Sequence, residues 1–169
     1  MTAVPPLETA RLLLPPFTLE EAHAVLNDSR VGRAWSPGYP TEGDREIAAM
    51  LLRGGPAPPD ERAVIFGPRR IVLRASGLAV GGIGFFGPPD EAGTLSIGYG
   101  IAPEARNQGL TTEALGAMLA FAAAQPGVRR VLADTTPDNL ASQRVLAKAG
   151  FQRIGQDAAL IYYEYAIAR

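Results

Sequence analysis

Cysteine is absent from this chain and histidine occurs once. The first absence excludes disulfides, thiolate nucleophiles and cysteine metal sites, and it fits a cytoplasmic, reducing location. The second leaves little for a Ser-His triad or a histidine-rich zinc site. His23 lies in "LEEAHAVLND", a polar-apolar pattern that reads as a helix surface. Neither sign of charge is in excess, with 16 Lys+Arg against 17 Asp+Glu. That balance removes the electrostatic footprint of a protein whose main partner is nucleic-acid phosphate. No segment approaches the roughly 18 uninterrupted apolar residues of a membrane span. The start, "MTAVPPLETARLLLPPF", lacks the basic opening and long apolar stretch of a signal peptide. The expectation is a soluble protein with no call for metal, nucleic acid or membrane.

What the chain does have is apolar content: 47% of 169 residues, enough to bury a sizeable core, and the expectation is one domain over 1–169. "RLLLPPF" reads as a first strand that ends at Pro15 and Pro16, because proline cannot donate to a ladder. Thr18 with Glu21, and Thr41 with Asp44, place capping boxes before helices at 19–28 and 42–53. "GGPAPPDE" at 54–61 reads as a loop between two halves, and "RAVIFG" after it as a further strand. "RRIVLRA" and "LAVGGIGFFG" read as strands joined by a hairpin at Ser76 and Gly77, with "GTLSIGYGIA" as the next strand. "LTTEALGAMLAFAAA" is long and apolar enough for a buried helix. "VRRVLADTT" is a strand, "PDNLASQRVLAKAGF" a helix with Asn139 as N-cap and Gly150 as stop, and "FQRIG" and "ALIYYEYAIA" close the chain as strands. This order predicts a mixed α/β sandwich around one central sheet.

The strand-to-helix junction "ARNQGLTTEAL", 105–115, has the composition of an anion-binding loop. Backbone N–H groups and a helix N-terminus together suit phosphate. An ordinary glycine turn with Thr111 or Thr112 capping the helix is the simpler alternative. A P-loop string is missing, and "GYGIAP" has Pro103 where a dinucleotide fingerprint needs its third glycine.

"IGYGIAPEARNQGLTTEAL" resembles the acetyl-CoA signature of the GNAT superfamily of N-acetyltransferases, with Arg106, Gly109 and Thr111 at its key positions. "LETARLLLPPFTLEEA" resembles the opening of the branch that acetylates ribosomal-protein N-termini, and "DNLASQRVLAKAGF" resembles its second signature helix. The resemblance implies a mostly antiparallel central sheet flanked by helices, with a splayed strand pair holding CoA. It implies that Arg106, Asn107, Gln108, Gly109, Leu110, Thr111 and Thr112 hold the pyrophosphate. Ile101 and Ala102 would flank the pantetheine arm and offer an N–H to the thioester carbonyl, and Asn139 and Ser142 would line the same arm. The implied partners are acetyl-CoA as cosubstrate and an amine acceptor, a small molecule or a protein N-terminus. A homodimer is left open.

The reaction so implied is direct attack by the amine in a ternary complex, with no enzyme nucleophile. Many relatives carry a glutamate where this chain has Ser96, and serine is a poor base. Asp134 is the first substitute as base, with Glu91 and Glu113 behind it. Tyr99 and Ser142 are the candidates beside the departing sulfur, whereas Tyr162, Tyr163 and Tyr165 alternate along the last strand as core or pocket-wall residues. Trp35, in "AWSPGYP", falls in the helix-loop region that forms the acceptor pocket in relatives. A site without a strong base is better matched to an α-amine near pKa ~8 than to a lysine-like amine near ~10.4. The alternative from another class is a CoA-binding regulatory module that has lost catalysis.

Overall fold

The computed structural model describes residues 3–55 and 59–168, so Pro56, Ala57 and Pro58 of the expected 54–61 loop lie outside the described residues. A hairpin of β1 (Leu7–Glu8) and β2 (Leu12–Leu14) leads into helices α1 (Leu19–Leu26), α2 (Glu42–Arg53) and α3 (Glu61–Ile65). Strands β3 (Pro68–Leu73), β4 (Ala79–Phe85) and β5 (Thr94–Ile101) follow as a meander. The chain continues through α4 (Leu110–Ala124), β6 (Arg130–Thr135), α5 (Leu140–Lys148), β7 (Gln152–Gln156) and β8 (Ile161–Ala166). Among the described residues eight strands join one sheet in the order β1-β2-β3-β4-β5-β6-β8-β7, in which only the neighbours β5 and β6 run parallel.

The local signals act where they stand. Thr41 and Asp44 form a reciprocal capping box, whereas at Thr18 only half of the expected box forms: Thr18 accepts from the Glu21 N–H, and Glu21 Oε1 accepts from Arg33 instead of the Thr18 N–H. One expectation is corrected. "RAVIFG" is not a strand: Asp60 caps it by accepting from the Ala63 N–H at 2.8 Å, which starts α3. "RLLLPPF" does supply a strand, β2, which stops before Pro15, and a short β1 not expected from the sequence pairs with it through a turn in which the Thr9 hydroxyl accepts from the Leu12 N–H at 2.9 Å.

Apolar side chains from both faces of the sheet build two cores. On one face Leu12, Leu14, Ile71, Ile83, Leu95 and Ile97 pack with Ala114, Leu115, Met118 and Leu119 of α4. On the other, α1 and α2 cover Val72 and Ala79 together with Trp35 and Tyr39. Gly82 lets α2 come down onto the sheet, since a Cβ there would lie 2.4 Å from Asp44 Oδ1. Asp44 is 5% exposed, and burial raises its carboxyl pKa against the lowering effect of its bonds from Thr41.

The parallel pair is short, and this creates the site. Thr94, Leu95 and Ser96 pair with Arg130, Val131 and Leu132, and the ladder then stops. β5 runs on against β4 as far as Ile101, while β6 runs on against β8 as far as Thr135. Beyond Ser96 and Leu132 the two central strands therefore diverge.

Candidate active site

A cleft of about 560 Å³ opens at this divergence. Its walls are the end of β5 (Tyr99, Gly100, Ile101), the loop into α4 and the first turn of that helix (Ala105, Arg106, Asn107, Gly109, Leu110, Thr111, Thr112), and α5 with its cap (Asn139, Ala141, Ser142, Arg144, Val145, Lys148). The loop is shaped by two left-handed residues, Asn107 at φ 61° and Gly109 at φ 74°. Asparagine and glycine are the types that tolerate this region.

Helix α4 begins without a side-chain cap, its N-cap being Gly109. Neither Thr111 nor Thr112 caps it, contrary to the simpler expectation. The first amides of the helix have no intrahelical acceptor, and the positive end of its dipole faces the cleft. Arg106, Arg144 and Lys148 add three exposed cations to the same walls. Arg144 and Lys148 had not been singled out from the sequence. Their only trace there is a basic pair four residues apart on the helix that carries Ser142, which puts both on one helical face.

On the far side of the cleft the Tyr99 hydroxyl lies 2.9 Å from Ser142 Oγ. Burial pushes the Tyr99 phenol above its ordinary range, partly offset by the Ser142 hydroxyl. Asn139 Oδ1 accepts from the Ser142 N–H at 3.0 Å and so caps α5 and fixes Ser142 together. The fold thus brings Tyr99, Asn139 and Ser142 into one cluster.

The remaining residues lie elsewhere. Ala102 is fully buried and its N–H donates to Val80 O at 2.7 Å, so that donor is already engaged. Gln108 is outside the cleft lining, its amide donating to Glu104 O and its carbonyl accepting from Arg11. Asp134 is exposed on β6, two residues past the last position paired with β5, on the sheet face opposite the buried Ala133 and Thr135. Glu91 is exposed in the turn before β5. Glu113 is held by Arg11: burial would raise its carboxyl, but the bonds from Thr9 and Arg11 outweigh this and lower it. Trp35 is 8% exposed, edge-on to Tyr39 with ring centroids 5.3 Å apart and with the Arg30 and Arg33 guanidinium groups near its ring. It anchors its loop within the second core and does not line the cleft. Among the described residues no group of His, Cys, Asp and Glu could hold a metal ion, and no helix is long and apolar enough to cross a membrane.

A mixed sheet that opens beside an uncapped helix start, with cations on two walls, is built to seat a long anionic ligand between strands. Residues 11–152 match the family profile described as an acetyltransferase (GNAT) domain, and the chain belongs to that family. It is 40% identical over 81 residues to the uncharacterized N-acetyltransferase YjdG of Bacillus subtilis (strain 168), a stretch covering 48% of each protein. With the uncharacterized N-acetyltransferase YoaA of the same organism it shares 29% identity over 154 residues, 89% of this chain and 85% of that one. The fold matches a GNAT-family acetyltransferase from Bacillus anthracis, with TM-score 0.65, 24% identity and coverage of 96% and 97%. It also matches RimL, a ribosomal L7/L12 α-N-protein acetyltransferase in complex with coenzyme A, with TM-score 0.65, 19% identity and coverage of 96% and 98%.

The acyl donor of this family is acetyl-CoA, and the residues present fit it. Unpartnered helix amides and three cations would face the phosphates, and the gap where β5 and β6 part would take the arm.

Proposed function

We propose that this protein transfers the acetyl group of acetyl-CoA to a primary amine by direct attack in a ternary complex, and that the acceptor is an α-amine of a protein N-terminus or another amine of low pKa. The observation that carries the reading is the uncapped start of α4, facing the cleft where β5 and β6 part. Arg106, Asn107 and Gly109 to Thr112 would hold the pyrophosphate, with Arg144 and Lys148 meeting phosphate from the α5 wall. When bound, acetyl-CoA supplies an acetyl group activated as a thioester.

The chain's own contribution is alignment, polarisation and proton handling. Alternation along β5 decides which N–H is available. Ala102 N–H is used by Val80 on the β4 side, so Ile101, one residue earlier, turns its N–H toward the β6 side, where pairing has ended. Ile101 is therefore the donor assigned to the thioester carbonyl, in place of Ala102. Tyr99, whose phenol burial holds above its ordinary range and which is linked to Ser142, is assigned to hand a proton to the departing thiolate. Asp134 stands on the opposite sheet face and is assigned to take the ammonium proton from an amine approaching from that side. A peptide acceptor is favoured by the likeness to RimL, a ribosomal L7/L12 α-N-protein acetyltransferase.

The test combines thermal denaturation with an amine panel read by thiol release. Acetyl-CoA should protect the fold, by about 2.7 kcal/mol at a hundredfold excess over its dissociation constant, while NAD and ATP do so much less. Turnover should be found with α-amine peptides at neutral pH. Protection by acetyl-CoA without turnover on any amine would favour the non-catalytic CoA-binding module instead. Equal protection by all three nucleotides would overturn the cleft assignment.

A further inference from the structure

The cleft's phosphate loop is braced from behind by a residue of the first hairpin. Arg11 reaches across the sheet edge and donates from NH1 to Gln108 O at 2.8 Å. Its Nε donates to Glu113 Oε2 at 2.7 Å, and its own N–H donates to Glu113 Oε1 at 2.8 Å. The Thr9 hydroxyl donates to the same oxygen at 2.6 Å. One guanidinium therefore grips both the carbonyl just before the α4 N-cap and a carboxylate in the first turn of that helix.

We infer that Arg11 is a positioning residue for the anion site, acting through the Gln108–Gly109 peptide. The inference rests on the reading of the cleft as a CoA site. This peptide is not among the cis bonds, and in a trans peptide the C=O and N–H point in opposite directions. Holding Gln108 O against Arg11 turns the Gly109 N–H away from Arg11, toward the cleft that Gly109 lines. A Cβ on Gly109 would lie 3.5 Å from Arg11 NH2, which places Arg11 behind the loop. Charge supports the same role. A carboxylate at Glu113, close to the helix N-terminus, would repel a phosphate at that end. The Arg11 guanidinium compensates it and leaves the dipole and amides to the ligand.

The test uses the full chain with Arg11→Gln and Arg11→Lys. Lysine keeps the charge and the long stem but cannot bridge Gln108 O and Glu113 with a rigid fork. The expected result is CoA binding weakened by on the order of tenfold in both variants, as for loss of a charge-assisted hydrogen bond. KM for acetyl-CoA should rise in parallel, with kcat at saturation little changed. Full rescue by lysine would overturn the orienting role in favour of simple charge. Variants that lose thermal stability but bind CoA as wild type would reduce Arg11 to a strut and overturn the inference alone. A wild-type chain that binds no CoA would overturn the cleft reading and this inference with it. If Arg11→Gln fails to fold, Arg11→Lys decides.

Discussion

Replacing Gly109 separates backbone conformation from ligand contact, and the structure assigns different consequences to different side chains. Gly109 sits at φ 74°, in the left-handed region. An alanine forced there costs about 1–2 kcal/mol of strain. In a domain of this size that lowers the melting temperature by roughly 2–8 °C. The direction of the new side chain matters as much. A Cβ at 109 would have Arg11 NH2, 3.5 Å away at an ordinary contact distance, as its neighbour, which directs the new side chain toward Arg11. Asparagine tolerates the left-handed region, as Asn107 at φ 61° already shows in this loop. Gly109→Asn should therefore melt closer to wild type than Gly109→Ala and should retain most CoA affinity, whereas the branched Gly109→Val should press on Arg11 and disturb the loop. Melting followed by circular dichroism, and CoA titration by calorimetry on the folded proteins, keep stability and binding apart. A Gly109→Asn protein that melts like wild type but has lost CoA binding would refute the reasoning, because its side chain would then have to face the ligand.

Gly82→Ala sets a Cβ 2.4 Å from the buried Asp44 Oδ1, so α2 must shift or its capping box must open; a loss of about 1–3 kcal/mol is expected in urea unfolding, and an unchanged midpoint would contradict the packing. Burial holds the Asp44 proton to higher pH in the native chain than in the unfolded one. Its contribution to stability is therefore greatest below the ordinary aspartate pKa of ~3.9 and declines as pH rises through the raised native value. Asp44→Asn cannot ionise, so its stability relative to wild type should improve from pH 4 to pH 7, and a constant difference across that range would contradict the burial effect. Arg144→Ala with Lys148→Ala should weaken CoA binding and flatten its dependence on salt, since two phosphate-facing cations are gone. An unchanged salt slope would remove them from the site.

Local chemistry made part of this protein readable from its residues in order. Thr41 and Asp44 lie three residues apart, and their box forms within one turn of helix. "LTTEALGAMLAFAAA" coincides with α4 because its apolar content leaves that segment little choice but burial. The glycine and asparagine of the 105–115 loop supply the left-handed turns there. "RAVIFG" misled because a short apolar run fits either period, and Asp60 decided it by capping. The rest of the site was settled by tertiary structure. Arg11 and Gln108 are 97 residues apart in sequence, and Tyr99 and Ser142 are 43 apart. Strand order and register bring each pair within hydrogen-bond distance, and register also engages the Ala102 N–H and leaves that of Ile101 turned to the gap. A sequence displays which donors and acceptors a chain owns, but only the pairing of its strands determines which of them are used within the fold and which remain for a ligand.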